Sequence, residues 1–279
     1  MLKLNGRGGA RQVIRPFIGP IWGQMLRAAM VGGALVTVVG CTSVGDNGAG
    51  GQSDQAQMDS VQKTLHEAGR EAEISNNYEV AAGIYGRLYD RRPDDPAILR
   101  AFIRNMRYSG RSRDIVDYVQ SKIPHALDDV QVRFEYAKAL LAAGRKTDAL
   151  AALIQVQAQM PDDWRVLSAL GITYDALGRY GEAIATYTSA LKLSPDNVVV
   201  MNNMAMSQAM SGKLAAAIST LERAAGINRK NTHVRQNLAL LYAINGDVER
   251  ARALASMDLD VSDVETNLSF YRRFEGQSR

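Results

Sequence analysis

Apolar and small side chains return along this chain every 34 residues. With Trp164 taken as position 1, Leu167, Leu170, Gly171, Tyr174, Gly178, Ala183, Tyr187, Ala190 and Pro195 fall on positions 4, 7, 8, 11, 15, 20, 24, 27 and 32. The apolar residues recur at helical spacing on both sides of the position-15 glycine, so each unit predicts two helices, A and B, joined by a tight turn. The frame extends both ways without an insertion and gives units at 62–95, 96–129, 130–163, 164–197, 198–231 and 232–265.

Each recurring residue type has a physical reason. Position 8 (Gly69, Ile103, Ala137, Gly171, Ala205, Ala239) and position 20 (Ala81, Ile115, Ala149, Ala183, Ala217, Ala251) are mostly small, which lets the two helices of a unit approach closely. Larger residues at positions 4, 7, 11 and 24 fill the space around them. Position 15 (Asn76, Gly110, Gly144, Gly178, Gly212, Gly246) suits the left-handed conformation that ends helix A. Proline at position 32 (Pro93, Pro161, Pro195) stops helix B. Position 34 (Asp95, Asp129, Asp163, Asn197, Asn231) supplies an N-cap for the next helix A, and Pro96 follows at a first helical position. The second unit, with its early Pro124, and the last, with a degraded second helix, depart furthest from the pattern.

These positions resemble the tetratricopeptide repeat (TPR) family. The resemblance implies an all-α fold: a right-handed α-solenoid of six helix-turn-helix repeats over 62–265, closed by a C-terminal capping helix at 262–275. One such unit cannot bury its apolar face alone, so stability comes from stacking neighbours. Val264, Leu268, Phe270 and Tyr271, with Arg272 and Arg273 beside them, mark the cap.

The N-terminal region is of another kind. From Met25 a short basic stretch leads into the apolar run Val31–Val39 and ends in Val38-Val39-Gly40-Cys41. The run is shorter than the roughly 20 residues that span a bilayer, and it closes as a secretory signal does. It resembles the bacterial lipobox, which implies residues 1–40 as a signal peptide, with Met25 an alternative start, and a lipidated Cys41. A small buried cysteine in an uncleaved segment is the competing expectation. Residues 41–60, rich in Gly, Ser, Asp and Gln, are expected to form a flexible tether. The formal charge of +4 belongs to the leader: residues 1–40 carry Lys3, Arg7, Arg11, Arg15 and Arg27 and no acid, leaving 28 basic against 29 acidic residues beyond them. A near-neutral remainder argues against a nucleic-acid partner.

No catalytic constellation emerges, and no enzyme, cofactor, metal or small-molecule substrate is expected. His66, His125 and His233 lie far apart with no ligand-spaced partners, and the glycine clusters at Gly6–Gly9 and Gly48–Gly51 have no flanking βα unit. Function is expected on the face that the TPR resemblance assigns to helix A positions 2, 5, 9, 12 and 13. Position 9 reads Arg70, Arg104, Lys138, Ile172, Met206, Leu240. Lys63, His66, Arg100, Arg107 and Tyr108 add to a basic first half, and Val199, Asn202, Met210 and Ile244 to an apolar second half. This suits a protein segment with an acidic part and an apolar helical part. Met206 and Met210 are flexible thioethers that adapt to partners, or else pack on a neighbouring repeat or the cap. The arginines alternatively form a solvated face with local ion pairs. Asn203 and Asn237, both at position 6, are candidates for holding an extended peptide backbone, or consensus filler.

The stretch Asn202-Asn203-Met204-Ala205 and the closing Asn267-Leu268-Ser269-Phe270-Tyr271-Arg272 resemble the TPR lipoproteins of tight-adherence (Flp) pilus assembly, the TadD type. That resemblance implies a pilotin-like scaffold, lipid-anchored at the periplasmic face of the outer membrane, whose partner is the pilus secretin or another assembly component. A general envelope adaptor for cell-wall enzymes or outer-membrane protein assembly is the alternative.

Overall fold

The computed structural model describes residues 50–267, with side chains from residue 60. Among the described residues there are twelve full α-helices, a further helical stretch at 261–267, one 3-10 turn and no strand. The A-helices are α1 (Gly50–Ile74), α3 (Pro96–Tyr108), α5 (Val130–Ala142), α7 (Trp164–Ala176), α9 (Val198–Met210) and α11 (Thr232–Ile244). The B-helices are α2 (Tyr78–Arg91), α4 (Ser112–Lys122), α6 (Lys146–Gln159), α8 (Tyr180–Leu193), α10 (Leu214–Ile227) and α12 (Val248–Ala255). From α3 onward every A-helix starts on position 1 of the frame. Each helix packs on its neighbour in sequence, and α5, α7, α9 and α11 also meet in succession.

Local chemistry sets these boundaries. Asp95, Asp129, Asp163, Asn197 and Asn231 each accept a backbone N–H of the A-helix they precede, such as Val132 N to Asp129 Oδ1 at 2.8 Å. Asn77 and Asp247 cap the B-helices α2 and α12 in the same way, but α4, α6 and α8 are held differently at their starts. Arg111, Arg145 and Arg179 offer no side-chain acceptor and instead pair with Asp114, Asp148 and Glu182 in the first turn, where a carboxylate also meets the positive end of the helix dipole.

Position 15 has positive φ in all six units: 56° at Asn76 and 74° to 85° at the five glycines. A Cβ added at Gly178 would meet nothing within 4 Å, so a substitution there meets only the backbone penalty. Gly178→Ala is expected to lower stability by about 1 kcal/mol, and Gly178→Asn by less, because Asn76 already occupies this conformation. Urea unfolding of the two variants against the parent measures both.

The core follows the close-approach positions. Every residue at position 20 is fully buried. Positions 8 and 24 exchange volume: Gly69 faces Tyr85 and Gly171 faces Tyr187, while Ala137 and Ala205 accompany Leu153 and Leu221. Where position 8 is Ile103, position 24 shrinks to Val119.

Two expectations need correction or limits, and the early Pro124 is accommodated without disturbing the frame. Helix α1 begins at Gly50, inside the stretch expected to be a tether through residue 60. Ser53 to Met58 contain no proline or β-branched residue, so the helix nucleated further along extends back at little cost per residue. Pro124 does not break the second unit but begins a 3-10 turn, Pro124–Asp128, between α4 and α5. Residues 261–267 are helical and Val264 is buried at 2% exposure in the core of the last two repeats. The rest of the expected cap, with Leu268, Phe270 and Tyr271, lies outside the described residues, as does Cys41.

Candidate functional site

The A-helix face divides into two halves of different chemistry. In the first half three of the cations, Arg104, Arg107 and Lys138, are met by carboxylates from their own chain. Arg104 Nη2 lies 2.6 Å from Glu73 Oε1, and the same oxygen accepts from Asn105 Nδ2 at 2.6 Å. Lys138 Nζ lies 2.6 Å from Glu135 Oε1, with its charge 4.4 Å from the Phe134 ring centre. Arg107, with only 7% of its side chain exposed, places Nη2 3.8 Å from Glu135 Oε2 and its guanidinium 4.2 Å over the Tyr108 ring.

The titration of these groups reflects burial against pairing. Burial pulls the Lys138 ammonium below the usual lysine range, only partly offset by Glu135. Burial acts the same way on Arg104, but the hydrogen bond and charge of Glu73 outweigh it and the net displacement is upward. Local ion pairing, the alternative to an open basic face, holds for Arg104, Arg107 and Lys138, which belong to a paired cluster across repeats one to three. Arg70 and Lys63 stay exposed, and Arg100 is half-buried. His66 stands edge-on to Tyr85. Among the described residues no three His, Cys, Asp or Glu side chains group to hold a metal ion.

The second half is apolar and open. Val199, Met210 and Ile244 are 53%, 41% and 43% exposed, with Met206 and Leu240 half-buried along the same helices and Ile172 half-buried on α7. Met201 and Met204 turn inward, Met201 fully buried and Met204 against the α7–α9 core. Asn237 Nδ2 donates to Asn202 Oδ1 at 2.8 Å, tying repeat six to repeat five. The pairing thus joins Asn237 to Asn202 rather than leaving Asn203 and Asn237 as a matched pair. The Asn203 carbonyl accepts from Ser207 Oγ at 3.1 Å.

The sequence expectation missed Glu73, Glu135, Asp175 and the exposed Ile74. Glu73 and Asp175 both occupy position 12, already counted as an A-face position. Their partners Asn105 and Ser207 each follow 32 residues later, so the signal was a recurring acid-to-polar offset of one unit less two residues. Position 13 is also apolar throughout (Ile74, Tyr108, Ala142, Ala176, Met210, Ile244), a row visible only when the six units are aligned.

Comparison with known proteins agrees with this architecture. Residues 134–198 match the family model for the tetratricopeptide repeat. The MamA protein of Desulfovibrio magneticus RS-1, from its residue 41 to the end, superposes with a TM-score of 0.51 at 16% identity, covering 61% of this chain and 96% of that chain. A MamA RS-1 ArsTM double mutant gives 0.50 at 17% identity, over 60% and 94%. A thermophilic TPR protein of Thermus thermophilus gives 0.49 at 16% identity, over 75% and 98%. A comparison with curated proteins gives no match. The fold is an all-α TPR fold, and the matching model describes a scaffold repeat, whose extended face suits protein–protein contact.

Proposed function

We propose that the chain is an outer-membrane-anchored TPR scaffold that captures an apolar segment of a pilus-assembly partner on the open half of its A-helix face. In this role it is pilotin-like and helps the secretin of a tight-adherence pilus reach or assemble in the membrane. The observation that carries the binding claim is the exposed row Val199, Met210 and Ile244 beside Met206 and Leu240. Apolar area of this kind gains roughly 25 cal/mol for each Å² removed from water, and methionine adapts its shape to what covers it. Because Arg104, Arg107 and Lys138 are already paired with Glu73 and Glu135, the partner's apolar side chains contribute most of the affinity.

The anchor rests on the sequence ending Val38-Val39-Gly40-Cys41. Acyl chains at Cys41 hold the scaffold at a membrane, where several chains give stable attachment and one gives only marginal attachment. The pilus assignment rests on the resemblance at Asn202–Ala205 and Asn267–Arg272. Cys41→Ser is expected to abolish acyl labelling and move the protein out of the membrane fraction. Unchanged labelling and fractionation would remove the anchor from the account.

Crosslinking in intact cells, followed by mass spectrometry of the co-purified proteins, tests the partner. Recovery of a secretin or other pilus component supports the pilotin role. Recovery of cell-wall enzymes or barrel-assembly proteins overturns it in favour of a general envelope adaptor.

A further inference from the structure

The same four-residue constellation occurs twice in the stack, once with a counter-ion and once without. In the first occurrence Gly69 makes room for Tyr85, Glu73 interacts with the Tyr85 phenol, and Asn105 of the next repeat donates to Glu73. In the second, Gly171 makes room for Tyr187, whose Oη donates to Asp175 Oδ2 at 2.8 Å. Ser207 of the next repeat donates to Asp175 Oδ1 at 2.6 Å. Each carboxylate sits in the last turn of its A-helix, where the helix dipole disfavours negative charge. Glu73 is neutralised by Arg104. Among the described residues Asp175 is met by two neutral hydroxyls and no cation.

No charge on the surrounding helices takes the place of that missing arginine. α9 carries no charged residue at all. On α8, Tyr187 is the titratable group in contact, Glu182 is paired with Arg179, and Lys192 lies in the last turn. On α7 itself Arg165 is at the opposite end and paired with Asp163. Lys146 of α6 ends on the Ala176 carbonyl, and Arg179 lies over the Tyr174 ring.

We propose that the α7–α8–α9 junction is a proton-responsive joint, looser while Asp175 is charged and tighter once Asp175 has taken up a proton. Closing the joint withdraws an uncompensated carboxylate from water, a cost that the two hydroxyls offset only in part. Burial accordingly pushes the Asp175 carboxyl up from the usual range, with Ser207 and Tyr187 pulling the other way. The closed form therefore holds its proton more tightly than the open one. The cost of closure is present above the raised pKa and is relieved as pH falls through it.

α9 carries Met206 next to the bolted Ser207, and Met210 one turn on, so the joint sets how far the apolar half can adapt to a partner. That consequence rests on the groove-type binding proposed above; the joint itself does not.

Amide hydrogen exchange of the full chain without partner, corrected for intrinsic exchange at each pH, tests the joint. In the parent, protection of Val198–Met210 is expected to rise on acidification, by no more than about tenfold per pH unit, the limit for one linked proton. Asp175→Asn is expected to hold α9 at its low-pH protection throughout. Ser207→Ala, which removes one donor and keeps the charge, is expected to lower α9 protection at neutral pH and keep the pH response. An α9 protection that is equally pH-independent in parent and Asp175→Asn, or that falls on acidification, overturns the joint. If exchange behaves as expected while groove variants still capture partner, the joint stands and the binding site is wrong.

Discussion

Gly171→Ala is expected to destabilise the protein by about 1–3 kcal/mol, the usual cost of overpacking a core, although alanine is the better helix former. A Cβ at this position would collide with the Tyr187 ring at Cε1. The ring has little room to yield, because Tyr187 is fully buried and its Oη is held by Asp175. Tyr187→Leu alone leaves a cavity over Gly171 and removes one donor from Asp175, at a cost of about 2–4 kcal/mol. The double variant restores the combination present at Ala137 with Leu153 and at Ala205 with Leu221, all fully buried. It is therefore expected to be more stable than the sum of the single effects by over about 1 kcal/mol. Unfolding of the three variants by urea measures the coupling. Strict additivity would show that positions 8 and 24 do not share one volume.

Met206→Glu combined with Met210→Glu is expected to weaken partner capture by more than about 100-fold, or about 2.7 kcal/mol. A carboxylate pressed into an apolar contact must lose its water without gaining a partner. The fold should survive, since Met210 is 41% exposed and Met206 is half-buried. Circular dichroism should report unchanged helicity, and pull-down against the crosslinked partner the lost affinity. Met201→Glu provides the contrast: its side chain is fully buried, and that change is expected to unfold repeat five rather than blunt a surface.

The helices were legible because their boundaries depend on local chemistry. A capping Asp or Asn, a left-handed turn residue and a small residue at the crossing each act within a few residues, and each recurs in register. The binding face was legible in its residue types but not in its charge state. Local ion pairing was open for the arginines, but the acids that pair with Arg104 and Lys138, Glu73 and Glu135, were not named. Glu73 lies 31 residues away from Arg104, a neighbour only once repeats one and two are stacked. The helical stretch before Asp59 escaped notice for the opposite reason: it has no apolar pattern to announce it, only the absence of proline and β-branched residues from Ser53 to Met58. Asp175 escaped notice although its position belongs to the A-face, and it is drawn into the seam between repeats four and five, because a buried tyrosine and the next repeat's serine both reach it.

The central claim is that a protein partner is held on the apolar half of the A-helix face. Site-specific photo-crosslinking in living cells tests it most directly, with the reactive residue at Met206, Met210 or Ile244 and, as control, at the exposed Ile154 of α6. One protein crosslinking from the three A-helix sites and not from Ile154 is the result this account predicts. Crosslinks from Ile154 with none from Met206, Met210 or Ile244 would contradict it.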